Sequence, residues 1–415
     1  MLQSNRRSLF SLYLAYFADY FSWGAAITFI YVYVSSETTS FNHLIWNEEF
    51  SLALGLAANP IGEVAGSPIL GDLSDWIGRK KVLIWGLWGS IASMALCAYS
   101  LYLGSFLFFV LCQFLIGFFS GKQAMAQAAI VETHAGGKGQ KLAFLSVLGG
   151  IAWILGPFLG GILMEDPFTS HGGYIWPSLL ALAVYVITLV FTHYYYTDTY
   201  EPPENTFVLG KFLHSVGETF LLTFKERVFF VFLLNLLGWY LLAISLSDFL
   251  LVRFHLAETQ IGTFNSYLSL CFTLGGVIGT AWVLHHWKAK NILFWCLLTG
   301  SIGLFLLFGA DKVSELWTYL AIPALTEAWI YPAYQTVLSD RASDKGQGKL
   351  FGLIGASNGA CQFVTSIILT DISSQTSILI AALLFLSSAA ILPLLIRKKV
   401  RQGFPAGHPQ NSVSQ

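Results

Sequence analysis

Asp19, Glu63, Lys122 and Glu327 are ionisable side chains set well inside long apolar runs, and Asp248 stands in the outer part of another. An ionisable group in hydrocarbon costs several kcal/mol unless it meets a cavity or a partner, so each is a candidate for moving charge across a membrane. A carboxyl held out of water resists ionisation and can take up or release a proton when its surroundings change. Asp19 and Glu63 are the first candidates for that chemistry, with Glu327 beside them. Glu63 lies in a stripe, Asn59, Glu63 and Ser67, repeating at every fourth residue, which is expected to form a wet helix face; Asn358, Gln362 and Ser366 repeat the pattern. Lys122 can anchor a substrate carboxylate, hold an acid ionised, or pair with an acid purely for folding.

These residues need a scaffold that puts them at mid-membrane depth. With 55% hydrophobic and only 11% charged residues and a mean hydropathy of +0.64, the 415-residue chain cannot be a soluble globule. A bilayer core of about 30 Å needs about 20 apolar helical residues per crossing. Twelve runs of that kind are readable, at 8–34, 50–70, 82–101, 104–132, 142–164, 174–196, 228–252, 261–284, 291–309, 315–338, 350–370 and 374–396. The first run is too long for a signal peptide and carries Asp19 in its middle, so it is read as a helix. The cysteines, Cys97, Cys112, Cys271, Cys296 and Cys361, are scattered through apolar runs and suggest neither a disulfide framework nor a metal site. "AGGKGQK", 135–141, lacks the spacing of a nucleotide-binding loop. No cofactor, metal or nucleic-acid partner is expected, and the adjacent His285 and His286 are read as a loop pair.

Twelve spans with an inside N-terminus put all of the 22 Lys and Arg except Lys122, Arg253 and Lys312 in or beside the segments on one side. The positive-inside rule assigns that side, with both termini, to the cytoplasm. Residues 126–150 and 333–357 share an Ala start, a KGQ and a small-residue finish, and "HHWKAKNILFWC", 285–296, weakly echoes "GRKKVLIWG", 78–86. Internal repeats mark transporters whose halves rock about a shared site. The expected organisation is a six-helix bundle over 1–196, a linker over 197–226, a second bundle over 227–400 and a tail over 401–415.

"GDLSDWIGRKKVL", 71–83, crowds charge between two apolar runs, and its Gly71, Asp75, Gly78 and Arg79 closely resemble the loop signature of the major facilitator superfamily. "GIAWILGPFLGG", 150–161, with Gly156, Pro157, Gly160 and Gly161, resembles that superfamily's antiporter helix motif. The stretches 121–132 and 330–348 resemble the fourth and tenth helices of its drug and tetracycline exporters. Gln113 stands where the exporter pattern usually has an arginine, and the first helix lacks the proline usual near its outer end.

The resemblance implies an all-α fold of two pseudo-symmetric six-helix bundles, with the first, fourth, seventh and tenth helices lining a central cavity. On the residues themselves, Gly71 is expected to let the chain leave its helix tightly, Asp75 to accept from N–H groups at a helix start, and Arg79 to pair with Glu132, together forming a cytoplasmic gate. Ala152, Gly156 and Gly160 make a small-residue packing face, with a bend at Pro157. Lys122, Gln123, Asp248, Trp329, Tyr331, Asn358 and Gln362 are candidates for the substrate cavity. The expected function is proton antiport of a drug-like or metabolite molecule by a monomer in the cytoplasmic membrane. Proton-coupled uptake of an amino acid or related metabolite and a non-transporting sensor are the alternatives.

Overall fold

A computed structural model describes residues 2–35, 48–132, 138–164, 175–198, 200, 227–256, 258–340, 347–368 and 372–396. The linker residues 201–226 and the tail 401–415 lie outside these. The described chain is helical because lipid leaves the backbone no other way to satisfy its N–H and C=O groups without closing a barrel. Twelve rods follow in order: α1 Leu2–Ser35, α2 Glu48–Ile77, α3 Arg79–Leu103, α4 Phe106–Glu132 with a break at Gly121, α5 Lys138–Met164 and α6 Ile175–Tyr195. The second set is α7 Arg227–Phe254, α8 Glu258–Ile278 carried on by a π-turn Gly279–Val283 and Leu284–His286, α9 Ala289–Phe308, α10 Val313–Ser339, α11 Gln347–Ile368 and α12 Ser374–Ile396.

Eight of these are long and apolar enough to cross a membrane. Three of the other four, α1, α2 and α10, carry Asp19, Glu63 and Glu327, which add to the polar and small residues that lower their hydropathy. Large apolar side chains such as Trp85, Trp88, Phe158, Trp295 and Leu394 stand exposed on the perimeter, where lipid is the solvent.

The two halves repeat each other in packing. In the first, α1 packs on α5 and α6, α2 on α4, and α3 on α4 and α6; in the second, α7 packs on α11 and α12, α8 on α10, and α9 on α10 and α12. Each pairing recurs six helices later, so the chain is two pseudo-symmetric bundles. Between them α2 meets α11 and α8 meets α5, again related by the repeat.

One expectation fails locally. Gly71 does not end a helix: α2 runs on to Ile77, and the chain turns at Gly78, whose φ of 102° only glycine tolerates without strain. Gly71 serves instead as a contact point, since a Cβ there would lie 2.5 Å from the Gly348 carbonyl and 3.0 Å from Gly352 Cα. Continuing the helix costs nothing at a position where two backbones must touch.

Candidate functional site

The mid-depth charges separate into three places. Inside the first bundle, the Lys122 ammonium donates to Asp19 Oδ1, to Ser90 Oγ at 2.7 Å and to the Phe119 carbonyl at 3.2 Å. Tyr185 O–H donates to the same Asp19 oxygen at 2.8 Å, its ring centroid is 4.8 Å from the ammonium, and Gln123 stands beside the carboxylate. Both charged side chains are at most 1% exposed, and they neutralise each other among α1, α3, α4 and α6.

Glu63 is different. It is half-buried on α2, and among the described residues it has no cation and no hydrogen-bond partner. Tyr16 and Tyr20 from α1, Tyr240 from α7 and Tyr331 from α10 all lie within electrostatic range of it, and Gly355 of α11 comes close enough that an added Cβ would sit 3.9 Å from Glu63 Oε1. Tyr16 O–H donates to the Tyr20 oxygen at 3.2 Å. Across the interface Tyr240 O–H donates to Asn358 Oδ1 at 3.4 Å, and Asn358 Nδ2 to the Tyr331 oxygen at 2.9 Å. Tyrosines of both bundles, and Asp19 of α1, are thus close enough to this one carboxyl to feel its charge. The stripe around it is not uniformly wet: Asn59 and Ser67 are buried, Asn59 against Gly117 of α4 and Ser67 against Gly352 and Gly355 of α11.

Glu327 is 2% exposed inside the second bundle, where Asn235 Nδ2 of α7 donates to its Oε2 at 3.1 Å. Trp329 turns from it toward α8, donating through Nε1 to the Gly275 carbonyl at 2.6 Å. Asp248 is exposed near the C-terminal end of α7 and joins none of these groups, and Gln362 is half-buried on α11 one turn beyond Asn358. Gln113 is buried, its Nε2 3.8 Å from Cys97 Sγ, in a small void shared with Ser22 and Ser178.

At the basic end a second constellation bridges the halves. Arg79, 1% exposed, holds Asp75 at 2.5 Å and Glu132 through Nη2 at 2.7 Å and Nε at 3.2 Å, and donates through Nη1 to Ser74 Oγ. Asp75 in turn accepts from the backbone N–H groups of Gly348 at 3.3 Å and Lys349 at 3.1 Å, in the first turn of α11, where unsatisfied donors and the helix dipole favour an anion. Lys349 Nζ lies 3.5 Å from Asp72, and Gln335 Nε2 of α10 donates to Gln127 Oε1 of α4 at 2.9 Å. The small-residue face of α5 serves the bundle itself: a Cβ on Gly156 would lie 2.7 Å from the Phe21 carbonyl of α1, and Pro157 packs on Gly24. Ala152 and Gly160 are buried, and Gly161 continues the helix.

Two groups carried no sequence signal strong enough to single them out. Tyr16 and Tyr20 are spaced i, i+4 beside Asp19, which hints at a polar face on α1. Asp198 and Tyr200, just after α6, complete the basic-end cluster: Asp198 Oδ2 accepts the Lys80 N–H at 2.8 Å, and Tyr200 O–H donates to the Asp75 carbonyl at 2.9 Å with its ring 4.4 Å from the Arg79 guanidinium. Burial pushes the Tyr200 phenol far above its ordinary range, so it stays a donor at any physiological pH.

The chain is 25% identical over 354 residues to the class H tetracycline resistance protein of Pasteurella multocida, covering 80% of this chain and 82% of that one. It is 23% identical to the proton-coupled folate transporter of Bos taurus over 79% and 72% of the two chains. Among solved structures, the human organic anion transporter MFSD10 superposes with a TM-score of 0.77 at 18% identity, covering 94% of this chain and 99% of that one. The proton:xylose symporter XylE superposes with 0.68 at 14% identity, covering 94% and 96%. At these identities the structures establish the fold alone. Residues 12–229 and 228–413 each match the profile of the Major Facilitator Superfamily, one match per bundle, so this multi-pass membrane protein belongs to that family of secondary transporters of small molecules.

Proposed function

We propose that the protein exports a small drug-like or metabolite molecule in exchange for protons, by alternating access. The observation that carries this is Glu63, a carboxyl without a counter-charge at the interface of the two bundles, ringed by groups from α1, α7, α10 and α11. A proton and a substrate can compete for such a group, and competition for one site is what couples their movements in opposite directions. Asp19, already matched by Lys122, is assigned to holding the first bundle together, and Glu327, held by Asn235, is the second proton candidate. The likeness to tetracycline resistance proteins supports export, and so does the α5 motif.

In this reading the bundles 1–196 and 227–400 rock about the linker 197–226, with the tail 401–415 and both termini in the cytoplasm of a cell whose cytoplasmic membrane holds the protein as a monomer. The Asp75–Arg79–Glu132 cluster is then the cytoplasmic gate, closed here. A single cysteine at 37 or 169 should label from outside and one at 345 only after permeabilisation.

The direct test uses inverted vesicles with an acid interior and tetracycline or chloramphenicol as probe. The expected result is accumulation of probe with a rise in internal pH, and loss of gradient-driven flux in Glu63→Gln. Co-directional movement of probe and proton would replace export by uptake. Full gradient-driven flux in Glu63→Gln would move the proton site to Glu327.

A further inference from the structure

We infer that the chain carries two repeat-related sites for an anionic phospholipid, one at Lys81 and Trp88 on α3 and one at Lys288 and Trp295 at the start of α9. The sites do not depend on the direction in which a substrate moves.

The internal repeat supplies the first observation. Arg79 and His286 hold equivalent positions, as do Trp85 and Ile292, so the basic ends of α3 and α9 have diverged. Within that divergence Lys81 falls on Lys288 and Trp88 on Trp295, both at the offset of 207 positions. A chain with 13 tryptophans in 415 residues rarely brings Trp onto Trp at a given offset. Packing does not explain the retention. Trp88 is 59% and Trp295 53% exposed, and both lysines are exposed; among the described residues neither ammonium has an ion pair and neither indole N–H a hydrogen bond. Since α3 packs on α4 and α6, and α9 on α10 and α12, the exposed faces look out of their own bundles into lipid.

Register and charge define the occupant. Lys81 lies in the first turn of α3 and Lys288 caps α9. Seven residues are close to two helical turns, so each Lys and its Trp share a face with about 10 Å of rise between them. A lysine at a helix start extends its ammonium to headgroup level, and an indole two turns deeper lies beside the ester region, so the pair spans one lipid from its phosphate inward. A general aromatic belt needs neither the paired lysine nor the matched register. No Asp or Glu occurs in 76–131 or in 259–310, so both stretches offer cations and N–H donors and no carboxylate to receive a lipid amine. Asp198, which reaches the start of α3 from beyond α6, accepts from the Lys80 N–H at 2.8 Å. A headgroup of net negative charge is therefore favoured over zwitterionic ethanolamine, whose ammonium finds no partner.

The test is native mass spectrometry of the purified full chain in detergent, titrated with phosphatidylglycerol and, separately, with phosphatidylethanolamine of the same acyl chains. The expected result is two phosphatidylglycerol molecules per chain, each bound about 5-fold more tightly than phosphatidylethanolamine, the factor that one lysine near an anionic headgroup supplies. Lys81→Gln and Lys288→Gln should each remove one tight lipid and the double variant both, while Trp88→Leu and Trp295→Leu should each weaken one severalfold. Lys290→Gln is the control for register: Lys290 is exposed beside Lys288, but its repeat partner is Leu83, and its loss should leave both lipids bound. Equal binding of the two lipids, or both tight lipids retained in the double lysine variant, would overturn the assignment. A loss in Lys290→Gln as large as in Lys288→Gln would reduce it to unspecific attraction between a basic surface and anionic lipid, and a single tight lipid would end the relation between the two sites.

Discussion

The two junctions that join the bundles at the basic end are related by the internal repeat, and they are built from different chemistry. At the α2–α11 junction the i, i+4 pair Asp75–Arg79 is a buried ion pair that also engages Glu132, Ser74, Tyr200 and the first turn of α11. At the α8–α5 junction the residues in the repeat-equivalent positions are Trp282 and His286, again i, i+4, with ring centroids 5.5 Å apart and His286 Nδ1 2.9 Å from the Trp282 carbonyl. Among the described residues the contacts across include an exposed hydrogen bond between Gln140 and His285 at 3.1 Å and the close packing of Gly150 on Thr273 and Gly276 on Val147. Gln347, the counterpart of Gln140, instead bonds within its own half, to Ser339 at 3.0 Å. The same helix pairing is therefore held by buried charge on one side and by close packing on the other. Charged contacts of this geometry hold strongly and release abruptly, whereas small-residue packing can slide; the π-turn Gly279–Val283, a locally underwound stretch of helix, falls on the sliding side.

This asymmetry can be broken or sharpened by substitution. Arg79→Ala should have the largest effect, about 3–5 kcal/mol off the stability of the purified chain, because it leaves Asp75 and Glu132 buried without their cation. His286→Ala, its repeat counterpart, should cost under about 1 kcal/mol, and equal shifts in thermal unfolding would end the distinction between the junctions.

Asp75→Asn comes next. It keeps the shape but loses the charge-assisted bonds to Arg79 and to the α11 N-terminus, a loss of about 1.5–3 kcal/mol from the closed state. Spin labels replacing Lys81 and Lys288 should report a shift toward longer distances across the basic end, with the helical content unchanged. An unaltered distance distribution would deny Asp75 its part in closure.

Tyr200→Ala should open the same end less, by about 0.5–2 kcal/mol, since it removes a ring from the Arg79 guanidinium and a hydrogen bond from the Asp75 carbonyl. Tyr200→Phe should recover the ring's share and not the hydroxyl's, in the same distance measurement. The smallest effect is expected from Gln140→Leu: one exposed neutral hydrogen bond, about 0.5–1 kcal/mol, and a distance distribution indistinguishable from the parent chain. A larger opening there than in Asp75→Asn would invert the comparison.

Much of the frame could be read before any coordinates. The apolar runs mark the twelve rods, because a lipid-exposed backbone must be helical and a span must be about 20 residues long. Boundaries at charged ends were less legible: α2 extends seven residues past its apolar run, through Gly71 and Asp75, because those polar residues are buried against α11 and α4 and the helix needs no lipid there. The motif at 71–83 named residues of the buried ion-pair cluster at the basic end, since charge crowding in so apolar a chain needs a cause.

Partnerships were another matter. Asp19 and Glu63 are alike in sequence, each an acid inside an apolar run, yet one is neutralised by a lysine 103 positions away and the other has no counter-charge among the described residues. Likewise nothing local distinguishes Trp329 from Tyr331, two positions apart on α10, although one reaches α8 and the other the shared interface. Composition and periodicity act through short range: they set which segments are helical, where a helix bears charge, and that the chain is two similar halves. Which charge finds which partner depends on helices meeting across distances of a hundred residues or more, and on the small rotations that point a side chain into its own bundle or out of it. Those are consequences of packing, and they alone decide that Asp19 is paired and Glu63 is not.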